Sequence, residues 1–252
     1  MDYDFHYYAT KAASLLAGFE EEEAEIIAES ALFVDYCDWS NFGYDIGEKG
    51  DEEYTVQTAQ FNTMKDKAQS TRAGDPSIWS IFHFVPGNYN DSENDKDFKL
   101  VSNNDENSAS LCRPHSKLAV KMIKDTKETI KKYKLENRAK LALIGIRMHV
   151  LADTWAHQNF AGISDSSLNT ISGNLQKKND FDTEWEDIDW TINPSADDGM
   201  APNFVSSIGH GAAGHTPDMG WLKFRYKTKW SKDYVVRDNP EEFQKAFIGL
   251  VN

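Results

Sequence analysis

The chain has 252 residues, a net charge of −14, 40% hydrophobic and 12% aromatic residues. That length and apolar content support one large core, and the acidic balance makes the chain a poor generic binder of nucleic acid, whose affinity comes mainly from Lys and Arg. No apolar run reaches the ~18–20 residues that span a bilayer. The opening MDYDFHYYATKAA shows no basic segment followed by an apolar one, so no secretory signal is visible; localisation stays open between the cytoplasm and delivery by another route.

Phe5, Tyr8, Ala9, Ala12, Ala13 and Leu16 recur at helical spacing and predict a helix over 5–17, stopped by Gly18. A second helix is expected from about Glu20 to Tyr36, its acidic start suiting the helix dipole. Its apolar stripe is Ala24, Ile27, Ala28, Ala31 and Val34; Asp35 follows Ala31 by one turn on that stripe, and Asp38 comes three residues later.

Residues 40–112 read as a long irregular excursion rich in Gly, Asp, Asn and Ser, with a short helix near 54–70. Loops of that length tend to be functional or mobile. Within it IWSIFHFVPG is apolar and carries His83. A third helix is expected to begin with Pro114 in its first turn and to run to about Lys134. The fourth, from about Glu136 to Phe160, is apolar nearly all round and predicts the buried central helix. Residues 163–206 look loop-rich; IGHGAAGHTPDMGW is a Gly-rich turn with His210, His215 and Asp218; NPEEFQKAFIGLVN opens a last helix. The expected fold is all-α: a multi-helix bundle with a central buried helix and long irregular loops. The expected organisation is a single metal-binding domain over 1–252 with a loop-rich insertion around 40–112. Cys37 and Cys112 form no CxxC pattern and leave only a single bridge open.

The central helix carries MHVLADTWAHQNFAG, in which His149, Asp153 and His157 are four residues apart and share one face. Buried His and Asp are costly unless paired or liganded. Imidazole and carboxylate suit zinc or a cluster of divalent ions, and helix bundles build metal sites from inward-facing side chains. The competing reading is a pair of core histidines hydrogen-bonded to Asp153. Against it, His6, His83, His115, His210 and His215 also avoid the solvated charge runs and lie beside carboxylates, glycines or apolar faces. The candidate ligands are therefore His6, Asp35, His83, His149, Asp153, His157, His210 and His215. Asp4, His115 and Asp218 are possible additional ligands or substrate contacts, and Asp38 is a weaker one.

The order of these motifs resembles the zinc-dependent phospholipase C and single-strand-specific zinc nuclease superfamily. The resemblance rests on His6 in the first helix, Asp35 in ALFVDY, His83 in FHFVPG, His149 and Asp153 in HVLAD, His157 in AHQNFAG, and His210 or His215 with Asp218. The opening DFHYYATKAASLLAGF and the GHGAAGHTPD turn look closer still to a bacterial branch of that fold. The resemblance implies an α-helical domain with two or three zinc ions in a cleft, Asp153 bridging metals, and Asp35 binding one metal or acting as general base. In that superfamily an N-terminal Trp supplies its amine and carbonyl to one zinc; here Met1 stands first and Asp4 is the candidate substitute. Its late HxxxE is replaced by GHTPD, and His115 has no counterpart.

The expected activity is zinc-dependent hydrolysis of a phosphoester or phosphodiester by a metal-activated water. Phospholipid, nucleotide and nucleic acid are the candidate substrates; the acidic charge favours a small or membrane-surface substrate over a long nucleic acid. The alternatives are a non-catalytic metal-binding or interaction domain on the same fold, and an HD-type phosphohydrolase. Against the last, the sequence has no adjacent His-Asp pair.

Overall fold

The computed structural model describes residues 1–37, 43–45, 53–55, 58–59, 78–88, 106–171, 175–178, 184–188, 208–231 and 233–252. The expected helix near 54–70 and Asp38 lie largely or wholly outside them; of that stretch Glu53–Thr55 is a strand, and Thr58 and Ala59 are not helical. The described chain is mostly helical. A π-helical segment, Asp4–Ala9, runs directly into α1, Thr10–Leu16. Gly18 follows with φ +93°, the left-handed geometry that ends a helix. Then come α2, Glu21–Tyr36; α3, Lys117–Tyr133; α4, Asn137–Ala156; the short α5, Ser166–Asn169; and α6, Asn239–Val251.

Local chemistry sets the ends. A reciprocal capping box joins Glu20 and Glu23 at the start of α2. The third helix begins three residues later than Pro114 suggested. The Ser116 hydroxyl accepts from the Ala119 N–H, and His115 sits at φ +53°, which leaves Pro114 in the preceding turn. The central helix ends at Ala156 and not Phe160. Asn159 turns to φ +73°, and the chain then joins the 111–112 segment through Cys112 N–H to Phe160 O and a Leu111–Ala161 bridge.

Strands correct the all-α expectation. β1, Gly43–Asp45, pairs antiparallel with β2, Glu53–Thr55. β3, Gln176–Lys178; β4, Glu186–Asp187; β5, Lys223–Tyr226; and β6, Val235–Asp238 form an antiparallel sheet in the order β4-β3-β5-β6. β5 alternates half-buried Lys223 and Arg225 with buried Phe224 and Tyr226, the period of a strand with one face in a core.

α4 packs against α2, α3 and α6. It links two cores. Val150, Leu151 and Trp155 join Phe5, Ala13, Phe243 and Leu250 in a helical core. Phe160, just past its end, joins Phe84, Leu222, Phe224 and Tyr226 under the sheet. The row His149–Asp153–His157 therefore runs along the element that ties the two cores together. No disulfide joins Cys37 and Cys112, both buried.

Candidate metal centre

Groups from four segments gather around the carboxylate of Asp153, which is fully buried in α4: the N-terminal segment, the end of α2, the Trp79–His83 turn and α4 itself. Its Oδ1 faces His6 Nε2 at 3.1 Å and the Met1 amine at 2.6 Å. Its Oδ2 faces His83 Nδ1 and His149 Nε2, each at 3.2 Å. Asp35, at the end of α2, closes the second side: Oδ1 lies 3.7 Å from both His83 Nδ1 and His149 Nε2. Its side chain is 25% exposed, so this edge of the cluster faces solvent. A further group stands at the other end of the row, where Asp218 Oδ1 lies 3.1 Å from His157 Nε2 and Asp218 Oδ2 lies 3.3 Å from His210 Nε2.

His6 and His83 each sit in a π-helical segment, Asp4–Ala9 and Trp79–His83. Such turns are rare and are common at functional sites. His157 caps α4, and its backbone N–H still donates to Asp153 O at 2.9 Å, so the one-turn spacing survives past the helix end.

Hydrogen bonds assign the tautomers. His83 donates from Nε2 to Thr58 O at 2.7 Å, His157 from Nδ1 to His83 O at 2.7 Å, and His210 from Nδ1 to Gly214 O at 2.8 Å. In each ring the other nitrogen is left with its lone pair turned toward Asp153 or Asp218. Carbonyls that accept from one ring nitrogen orient metal-binding histidines in this way. His6 goes further: it is fully buried and, among the described residues, neither ring nitrogen makes a hydrogen bond. Its Nε2 is close to Asp153, but the angle is wrong for one. His149 Nδ1 is likewise unpartnered, and the two rings stack at 3.8 Å. Lone pairs and carboxylate oxygens converging in a buried space repel one another unless a cation or proton sits between them. The donor set passes this test for divalent metal. Three groups bring one ligand atom from each member within 4.8 Å of one another: His6–His149–Asp153, Asp35–His83–His149, and His157–His210–Asp218.

Other expected members fall outside these groups. His215 is 41% exposed and reaches only 4.0 Å from Asp218, so His210 takes the place beside that carboxylate. Asp4 is exposed and accepts from the Phe5 N–H at 2.9 Å. His115 is exposed and stacks on Trp155 at 5.9 Å. The residue that sequence reasoning passed over is Met1. Its amine lies 2.6 Å from Asp153 Oδ1 and 3.2 Å from Asp218 Oδ1, where Asp4 had been expected to act. Spacing along a helix cannot reveal a backbone amine.

Charge follows the geometry. Burial pushes the pKa of His6 and of His210 down to about 4, so both rings stay neutral. Burial opposes ionisation of Asp153, but His157, the Met1 ammonium and His149 outweigh it and hold that carboxyl well below its usual range. Asp218 is lowered too, burial being outweighed by His210 and Met1. Burial also opposes the Met1 ammonium, and Asp153, Asp218 and Asp35 together raise it to about 11. Burial opposes the charged form of His83, but once protonated its Nδ1 would donate to Asp153, and that outweighs burial and raises its pKa.

A stability profile follows for metal-free protein. A histidine depressed from 6.5 to about 4 contributes fully above pH 6.5 and loses that contribution as pH falls toward 4. The Met1 ammonium contributes fully below pH 8 and loses its contribution as pH rises toward 11. His83, raised above 6.5, contributes fully below pH 6.5 and loses that contribution as pH rises above it. Thermal melting in chelator is expected to peak near pH 6.5, falling toward pH 4 as His6 and His210 protonate and falling on the alkaline side as His83 and then Met1 lose their protons. A melting temperature that climbs steadily from neutral pH to pH 4 would contradict this charge assignment.

Compared with known proteins, residues 1–252 match one family model, described as a family of unknown function (DUF6765). Neither the curated proteins nor the solved structures give a match.

Proposed function

The chain belongs to the DUF6765 family over its whole length, and we propose that it is a zinc-dependent hydrolase of a phosphoester, with a fold and site akin to the zinc-dependent phospholipases C and single-strand-specific zinc nucleases. The observation that carries this reading is the convergence of three imidazole nitrogens on the two oxygens of Asp153, with His6 orphaned of hydrogen bonds.

Asp35, His83, His149 and Asp153 would hold one ion; His157, His210 and Asp218 a second; His6 and Asp153 a third. His149 serves the first of these, since one ring nitrogen carries one lone pair. Bound divalent ions would supply a lowered water pKa and charge neutralisation at phosphoryl oxygens. Asp153 orients the ligand histidines on both sides. Asp35, the exposed carboxylate of the cluster, either binds metal or accepts a proton from water at the open edge. Among the described residues no helix is long and apolar enough to cross a membrane, so a lipid substrate would be met at a surface.

Elemental analysis of purified protein is expected to find two or more equivalents of zinc. The metal-loaded protein is expected to cleave an artificial aryl phosphodiester, and to prefer one class within a panel of phospholipid, nucleotide and single-stranded nucleic acid. Metal-loaded protein inert toward every member would favour a non-catalytic metal-binding domain. Absence of metal, with no thermal shift on adding zinc, would defeat the metal reading itself.

A further inference from the structure

Arg237 is 2% exposed, on the inner face of β6 opposite Phe224. Three of its acceptors are backbone carbonyls: Nη1 donates to Ala156 O and Gln158 O, each at 3.2 Å, and Nη2 to Trp155 O at 2.9 Å. Those carbonyls belong to the end of α4 and straddle His157. Asn239, fully buried two residues on, does the same for the other ligand segment. Its Nδ2 donates to Thr216 O at 2.8 Å, Pro217 O at 3.3 Å and Met219 O at 2.8 Å, which straddle Asp218. Arg237 Nη2 also donates to Asn239 Oδ1 at 3.4 Å, joining the two sets.

We propose that Arg237 and Asn239 are positioning residues: a buried strut that sets the distance between His157 and Asp218, and so tunes the metal group they form with His210. The proposal rests on the metal reading above. Its physical basis is threefold. The last carbonyls of a helix lack partners within the helix, and a cation is favoured there. A planar guanidinium presents several donors in a fixed fork, so it holds three carbonyls without much further ordering. A buried guanidinium with no salt-bridge partner among the described residues costs solvation that an apolar side chain would not. A role in placing backbone accounts for that cost, whereas filling space does not. The result is that His157 Nε2 and Asp218 Oδ1 meet at 3.1 Å although 61 residues separate them.

Full-length Asn239→Ala and Arg237→Lys variants test this, with Asn239→Ala removing the three donations to the Asp218 segment and Arg237→Lys weakening those to the His157 segment. Metal-free wild type and variants are titrated with cobalt(II), the ligand-field absorption is followed, and zinc stoichiometry is measured in parallel. One equivalent is expected to weaken ~10–100-fold, the usual consequence of losing a group that holds a ligand in place, with its absorption band altered. The remaining equivalents should keep wild-type affinity, and Arg237→Lys should be the milder of the two. Variants that bind every equivalent as wild type does would overturn the proposal. So would equal weakening of all equivalents, or loss of helical circular dichroism in both variants, since either describes a general structural role. Wild type that takes up no metal would sink the parent reading instead, which separates the two failures.

Discussion

Asp153→Asn is expected to lose metal while keeping the fold. Asparagine is nearly isosteric, so α4 should survive and helical circular dichroism should stay near wild type. What disappears is the negative charge that His6, His83 and His149 face at 3.1, 3.2 and 3.2 Å. Two of the three proposed ions would use that carboxylate, so at least one equivalent of zinc should be lost, and phosphodiester hydrolysis should fall by a factor on the order of 100 or more. Thermal melting with and without chelator decides between this and a hydrogen-bonded core. Metal that binds only the native state stabilises it by mass action, so the mutation should destabilise metal-loaded protein more than chelated protein. Equal destabilisation in both conditions would identify the row as a packing network and remove the main support for an enzyme.

Gly145→Val is expected to be the most destabilising single change on α4 outside the cluster. At Gly145 the central helix crosses α2 so closely that a Cβ would overlap the Ile27 carbonyl oxygen and lie 2.8 Å from Ser30 Cβ. Backbone cannot rotate aside as a flexible side chain can. α2 must therefore move away, at a cost of about 3 kcal/mol, the upper part of the usual range for overpacking. Asp35 rides on the same helix two turns farther on, so metal affinity should drop along with stability. Asp35 has no direct contact with the mutated position, which makes that coupled loss informative. Unchanged melting and unchanged metal binding in Gly145→Val would show that α2 and α4 do not pack as closely as described.

Two kinds of information separate in this protein. Sequence alone determined what depends on local geometry. A helix brings residues four apart onto one face, so His149, Asp153 and His157 were legible as a row, and Asp35 as a carboxylate on an otherwise apolar stripe. The strand signal in LKFRYKTKW was also present, since Leu222, Phe224 and Tyr226 alternate with cations, and an all-helical expectation passed over it. Tertiary structure alone decided which distant groups met. His210 faces Asp218 while His215 turns outward, because a few backbone angles in a Gly-rich turn choose between two imidazoles of equal chemistry. His115 lies outside the cluster because a residue at φ +53° directs it to the surface of Trp155. Met1 enters because its amine is backbone, invisible to any side-chain pattern. Arg237 and Asn239 matter because their donors reach carbonyls, and every residue in the chain has a carbonyl. Periodicity reports which face a side chain shares with its neighbours in sequence; only packing fixes the few ångströms that turn separate faces into one site.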